Sequence, residues 1–210
     1  MKLTKITAMV AAIATAAGLG AVATSSASAQ VLTEGVKTIT LNATSAGQLA
    51  GHTFKVVKVA SYDVYGTAPN QSVTLKTEDA LKTDIADYLK YTGNGDPLAW
   101  AQQQDKAKLD QSTASPWLGD GTTRGLADKL ASKATTDITP TLSGDNKQAT
   151  FTLTSPGLWL IVDQAATGKS SKALPILAGT PLTINNNKVY SDGRIAMKNQ
   201  TASVGKTVTD

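Results

Sequence analysis

The chain has 210 residues, one histidine and no cysteine, with 20 basic against 16 acidic side chains. The lack of cysteine excludes disulfides, Cys-His catalysis and the usual zinc cages, so an exported domain must be stabilised by its core or by another crosslink. The weak basic excess, with no Arg/Lys cluster and few aromatics, argues against nucleic acid as a partner. Because no catalytic groups converge in the sequence, we expect no enzyme activity, no cofactor and no metal.

The N-terminus has the pattern of a secretory signal peptide. Lys2 and Lys5 precede a largely apolar stretch at 6–22, and Ala27-Ser28-Ala29 fits the small-x-small cleavage rule. We predict cleavage after this triplet and an exported product that starts at Gln30, in which 18 basic and 16 acidic residues leave a formal charge of +2. A retained membrane anchor is the alternative, but Thr, Gly and Ser interrupt the apolar run. No later segment is apolar enough to span a membrane.

Three β-like segments follow the signal peptide. Residues 36–41 alternate between apolar and polar, residues 54–62 form a second run, and residues 72–75 form a short third one. The loop before the second run contains two glycines and His52. We interpret His52 as a surface loop residue rather than a catalyst.

Residues 77–133 have a different composition, rich in Ala, Gln, Lys and Asp. Leu81, Ile85 and Leu89 recur at helical spacing, and Asp96-Pro97 has the pattern of an N-cap followed by proline at the first helical position. We predict a helical insertion between two halves of a β-sandwich. A long mobile loop is the alternative.

The second half of the chain contains the strongest strand signals. Ala149–Thr154 alternates strictly, as a strand with one buried face should. Leu158–Val162 is an unbroken apolar run, typical of a strand covered on both faces. Since Ser155, Pro156 and Gly157 are residue types typical of turns, we predict that the two strands form a hairpin at the centre of a mainly β fold.

The order of these features is distinctive. A signal peptide is followed by residues 49–56 (LAGHTFKV), the helical insertion, residues 155–163 (SPGLWLIVD), and two proline-containing segments at 175–177 and 181–183. This order resembles the N-terminal domain of sortase-assembled pilin subunits (fimbrial proteins) of Gram-positive bacteria, over nearly the whole mature chain. The resemblance implies an Ig-like (CnaB-like) β-sandwich and a structural subunit of a cell-surface pilus, covalently polymerised at the cell wall by sortase and supporting adhesion. The partners it implies are other pilin subunits, a class C type sortase, and host glycans or matrix proteins.

Two lysines carry the chemistry that this resemblance implies. In such pilins, a Tyr-Pro-Lys-Asn-like motif supplies the lysine that sortase joins to the C-terminal threonine of the next subunit. Here Ala196-Met197-Lys198-Asn199 matches the Lys and Asn positions, so Lys198 is the candidate crosslinking lysine. Lys206 resembles the lysine in the first strand of a following domain, which forms an intramolecular isopeptide bond with an asparagine.

The predicted organisation is a signal peptide at 1–29, a pilin β-sandwich domain at 30–198, and a linker with the first strand of a following domain at 199–210. The family's Leu-Pro-x-Thr-Gly sorting signal does not occur in the sequence. We therefore expect the front part of a longer subunit or a truncated product. Within 30–205 we expect no isopeptide bond, because no Lys-Asn pair is accompanied by a glutamate in strand context.

Two other functions remain open from the sequence. One is a cell-surface carbohydrate- or host-binding adhesin module that is not polymerised, which an exposed Trp100 and Trp117 would favour. The other is a secreted hydrolase that uses aspartate carboxylates, which would need two of them to face each other across a cleft.

Overall fold

A computed structural model of the chain describes residues 30–103, 122–164, 171–185, 188–197 and 199–201. In these ranges the fold is mainly β. The strands are β1 (Gln30–Val31), β2 (Thr38–Asn42), β3 (Phe54–Tyr65), β4 (Ser72–Thr77), β5 (Thr136–Ile138), β6 (Thr141–Leu142), β7 (Gln148–Thr152), β8 (Leu158–Asp163), β9 (Ser171–Ala173), β10 (Ile176–Gly179), β11 (Leu182–Ile184), β12 (Lys188–Ser191), β13 (Arg194–Ala196) and β14 (Asn199–Thr201). The helices are α1 (Lys82–Leu89), α2 (Pro97–Gln102) and α3 (Thr122–Leu130), and short 3-10 helices lie at Ala46–Gln48, Asp79–Leu81 and Ala131–Lys133.

Two principal sheets organise these strands. The first sheet has the order β1-β3-β8-β10, and β4 and β5 also pair with the long strand β3. The second sheet has the order β13-β2-β7-β6, in which β13 runs parallel to β2. Two small sheets, β11-β12 and β9-β14, complete the pairing in the described ranges.

Strand β8 lies between two hydrophobic cores. Leu158, Leu160 and Val162 belong to one core, whereas Trp159 and Ile161 belong to the other. All six residues of the strand are buried. The prediction of a strand covered on both faces is therefore confirmed.

Each core has a different cover. On one face of the first sheet the covering side chains come largely from helices; they are Leu81, Ile85, Leu98, Leu126, Ala127 and Leu130. On the other face they come from the second sheet, and include Ile39, Leu41, Ala149 and Phe151. The result is three layers, with helices on the first sheet and the first sheet on the second. The unbroken apolar run of β8 follows from its place in the middle layer.

The predicted hairpin between residues 149–154 and 158–162 is wrong. Strand β7 pairs with β2 and β6 in the second sheet, whereas β8 pairs with β3 and β10 in the first. The segment at 155–157 carries the chain from one sheet to the other. The physical reason lies in the two patterns, because a strand with one apolar face suits an outer layer and a wholly apolar strand needs cover on both sides.

Gly157 makes this crossing possible. Its φ of +147° lies in a region that L side chains rarely adopt, and a Cβ at this position would lie 2.3 Å from the carbonyl oxygen of Ala60 in β3. Its backbone is also held on both sides by Thr180. The Gly157 N–H donates to Thr180 Oγ1 at 3.0 Å, and the Thr180 N–H donates to the Gly157 carbonyl at 2.9 Å.

The predicted helical insertion is confirmed in its described parts, and residues 104–121 lie outside them. Asp96 caps α2 as expected, accepting from the backbone N–H groups of Leu98 and Ala99 at 3.0 Å each. The same carboxylate accepts from the hydroxyl and the N–H of Thr77, at 2.7 and 2.8 Å. One side chain therefore ties the start of α2 to the end of β4.

Candidate functional site

The most unusual polar contact in the described residues is a buried histidine-carboxylate pair. His52 Nδ1 lies 2.8 Å and 3.0 Å from the two carboxylate oxygens of Asp163, and neither side chain is exposed to solvent. A carboxylate can only accept, so Nδ1 carries the shared hydrogen. The other ring nitrogen, Nε2, is buried and forms no hydrogen bond with a described residue.

The expectation that His52 is a surface residue is therefore wrong. The loop that carries His52 packs into the core between the two sheets, where Leu49 is 1% exposed. Within the loop, the His52 N–H donates to the Leu49 carbonyl at 3.1 Å. The imidazole stacks on Phe54, with ring centroids 6.4 Å apart. Because both side chains are closed off from solvent, they cannot contact a substrate in this conformation. We interpret the pair as a structural contact.

Asp163 uses the same carboxylate to hold the next strand. Its Oδ2 accepts from the Ala173 N–H of β9 at 2.8 Å. Beside it, the Gln164 N–H donates to the Thr53 carbonyl at 2.8 Å. Since a buried carboxylate is costly unless paired and hydrogen-bonded, these contacts fix the end of β8, the His52 loop and β9 relative to one another.

Strand β9 in turn pairs with β14. Asn199 lies opposite Ala173, and Thr201 lies opposite Ser171, in an antiparallel register. On the other side of position 198, the Met197 N–H donates to the Asn42 carbonyl of β2 at 2.7 Å, and Met197 is 4% exposed. Met197 packs in the core between the two sheets.

We call the group formed by the His52–Asp163 pair, β9, β14 and Met197 the β9–β14 end. Both lysines singled out in the sequence, Lys198 and Lys206, lie outside the described residues. The signal that the sequence analysis missed is Asp163 itself, a carboxylate at the end of a wholly apolar run, which must find a partner once the run is buried.

Three lysines in the described ranges form ion pairs with carboxylates. Lys55 pairs with Asp137 at 3.0 Å, Lys58 with Glu78 at 3.3 Å and Lys133 with Asp84 at 2.7 Å. Lys58 also lies 2.8 Å from Ser61 Oγ, and the Ser61 hydroxyl donates to Glu78 at 2.9 Å. An ammonium held by a carboxylate is not a base for serine activation, so we interpret this cluster as structural.

Two tyrosines pack against each other near the opposite end of β3: Tyr62 of β3 is buried, and Tyr190 of β12 is partly buried. Burial raises the pKa of the Tyr62 phenol far above its ordinary value, although the Thr180 carbonyl accepts its hydrogen at 2.9 Å. Burial also raises the pKa of Tyr190, whose ring meets Tyr62 edge to face at 5.8 Å. Both phenols stay neutral over the physiological range, and they act in packing and hydrogen bonding.

The described part of the chain contains no group of three or more His, Cys, Asp or Glu side chains able to hold a metal ion. Within that part, no helix is long and apolar enough to cross a membrane. No protein-family model matches the chain, and its sequence matches no curated protein.

Proposed function

We propose that this chain is a structural subunit of a cell-surface pilus, with an Ig-like (CnaB-like) β-sandwich, that sortase polymerises through Lys198. In this proposal the chain is exported, performs no catalysis itself, and has other pilin subunits and the sortase as its partners. The proposal rests on the motif order in the sequence together with one observation at the β9–β14 end.

That observation is the attachment of the chain on both sides of position 198. Met197 is buried and bonded to Asn42 of β2, while Asn199 is paired with Ala173 of β9. The chain is therefore attached to the fold directly before and directly after the candidate lysine. An amine on backbone that is held on both sides is favourable for attack on an acyl-enzyme. The entropy of ordering the backbone next to the nucleophile is already lost when the protein folds.

The His52–Asp163 pair supports the same proposal indirectly. It holds β9 through the Ala173 N–H, and β9 holds β14. A pilus shaft transmits load from one subunit to the next through each crosslink, so a crosslinking residue needs a firm connection to the body of its domain. Buried hydrogen bonds between polar groups provide such a connection, because breaking one leaves a desolvated group unpaired.

The test is Lys198→Arg in the full-length subunit expressed with its sortase. Arginine keeps the charge and the length, but its guanidinium stays protonated and cannot act as the acyl acceptor. We expect the high-mass ladder on denaturing gels to disappear while the monomer keeps its thermal midpoint. The matched control is Lys172→Arg, an exposed lysine on β9 that faces Gln200 in the register, and it should leave the ladder intact.

Two results would contradict the proposal. A ladder that persists in Lys198→Arg would show that another residue, or none, is the acyl acceptor. A ladder that disappears equally in Lys172→Arg would show that the gel responds to a general change at this end rather than to the loss of one amine.

The second candidate function is an adhesin that binds host glycans, and one observation favours it. Tyr91 and Trp100 form a partly exposed aromatic pair in the helical layer, with ring centroids 5.1 Å apart and planes 37° apart. Aromatic rings offer flat apolar surface on which sugar rings can stack. Trp117, the other tryptophan expected in such a platform, lies outside the described residues. Glycan-array binding that is lost in Trp100→Ala but kept in Lys198→Arg would favour this function.

A further inference from the structure

We infer that Gln30 is a modification site: after export, its α-amino group closes on its own side-chain carboxamide to form pyroglutamate. The inference rests on the export step of the proposed function, because this amine exists only once the chain is cut after Ala29. It concerns the opposite end of the domain sequence from Lys198 and needs no partner protein.

The reaction is balanced within the residue. The neutral α-amine attacks Cδ, a new N–Cδ amide bond forms, and the Cδ–Nε2 bond breaks. Nε2 leaves as ammonia and takes the proton that the amine gives up. A five-membered lactam results without any oxidant or cofactor, and the two reacting groups are held together by the residue itself.

The position of Gln30 in the fold permits this ring. Gln30 is exposed and is the first residue of β1, opposite Val64 of β3. Two residues later, the Leu32 N–H donates to the Tyr62 carbonyl at 2.8 Å. Hydrogen-bonded pairs in an antiparallel ladder repeat every second residue, so the Gln30 nitrogen also faces the carbonyl of Val64.

The lactam gives up one hydrogen bond of that pairing and keeps the other. As in proline, the ring Cδ takes the place of the amide hydrogen, so the Gln30 nitrogen no longer donates to Val64. The Gln30 carbonyl takes no part in the reaction. It can still accept a hydrogen bond from Val64, and Leu32 keeps its bond to Tyr62. The ring therefore replaces a charged, hydrated terminus with a neutral residue at the cost of the terminal hydrogen bond of β1 alone.

Cyclisation also has a consequence for crosslinking. An unperturbed α-amino group has a pKa of about 7.7–8.0 and a lysine side chain about 10.4, so at neutral pH a much larger share of a terminal amine is in the nucleophilic form. A free Gln30 amine would therefore compete with lysine as an acyl acceptor. The lactam removes this competitor and leaves lysine side chains as the amines available to a sortase.

Peptide mapping of the secreted protein tests the inference. Trypsin should release Gln30–Lys37, since the segment has no internal Lys or Arg. We expect this peptide to be lighter by about 17 Da, the mass of ammonia, and to be blocked to stepwise N-terminal sequencing. The matched control is Gln30→Asn, whose side chain is one methylene shorter and could close only a strained four-membered ring; its peptide should keep its full mass and a readable N-terminus.

Locating the mass loss is essential, because a Lys-Asn isopeptide bond expels the same ammonia and an intact mass alone would not separate the two. A wild-type Gln30–Lys37 peptide that keeps its ammonia after prolonged incubation would overturn the inference. A tryptic peptide that begins at another residue would overturn it too, by removing the N-terminal glutamine. The ladder assay on the same material reports on the pilin proposal separately, since Lys198→Arg leaves Gln30 unchanged.

Discussion

Replacing Gly157 with alanine should be one of the most damaging single-methyl changes in this protein. The new Cβ would lie 2.3 Å from the Ala60 carbonyl oxygen and 3.0 Å from the Lys58 side chain, at a φ of +147°. The backbone strain costs about 1–3 kcal/mol and the forced overpacking costs about 1–3 kcal/mol. Ala60 belongs to β3, which pairs with β8 and β4, so the clash cannot be relieved by one loop moving away.

We therefore expect Gly157→Ala to lose about 3–5 kcal/mol of the free energy of unfolding, a large share of the roughly 5–15 kcal/mol of a typical domain. Urea unfolding followed by tryptophan fluorescence measures this loss, because the buried Trp159 lies two residues away. The matched control is Gly144→Ala, also in a turn, where a Cβ would meet nothing within 4 Å. That variant should be unchanged or stabilised by up to about 1 kcal/mol. Equal midpoints for the two variants would refute the crossing geometry.

The remaining predictions concern the two cores. Trp159→Ala should lower the free energy of unfolding by about 3–5 kcal/mol. Trp159 is 6% exposed in the core between the sheets, and its Nε1–H donates to the Ser155 carbonyl at 3.1 Å. An unchanged denaturation midpoint would mean that β8 is not central. Alkaline pH should destabilise the fold, because burial raises the pKa of Tyr62. Above about pH 10 the unfolded state releases this proton while the folded state keeps it, so the free energy of unfolding should fall by up to about 1.4 kcal/mol per pH unit. Tyr62→Phe should lower the free energy of unfolding by about 1 kcal/mol at neutral pH, because the hydrogen bond is lost. Its free energy of unfolding should then fall less steeply at alkaline pH than that of the wild type. An equally steep fall in Tyr62→Phe would assign the effect to other groups.

The sequence by itself determined how β7 and β8 are buried. The unbroken apolar run of β8 predicted cover on both faces, and the alternation at residues 149–154 predicted a single buried face on β7. It also determined the start of α2, where Asp96-Pro97 marks the cap. These features are local, since a side chain's face and a helix terminus depend on residues within a few positions along the chain.

Only the tertiary structure decided which elements meet. The hairpin expected at 155–157 failed because periodicity reports burial but not the identity of the partner strand, and β7 and β8 entered different sheets. The His52–Asp163 pair was invisible for the same reason. Its members are 111 positions apart in the sequence. A histidine in a glycine-containing loop is expected to be exposed, and only the packing of that loop shows that it is buried. Burial of a carboxylate makes a partner necessary, but the partner is chosen by the layers that close around it.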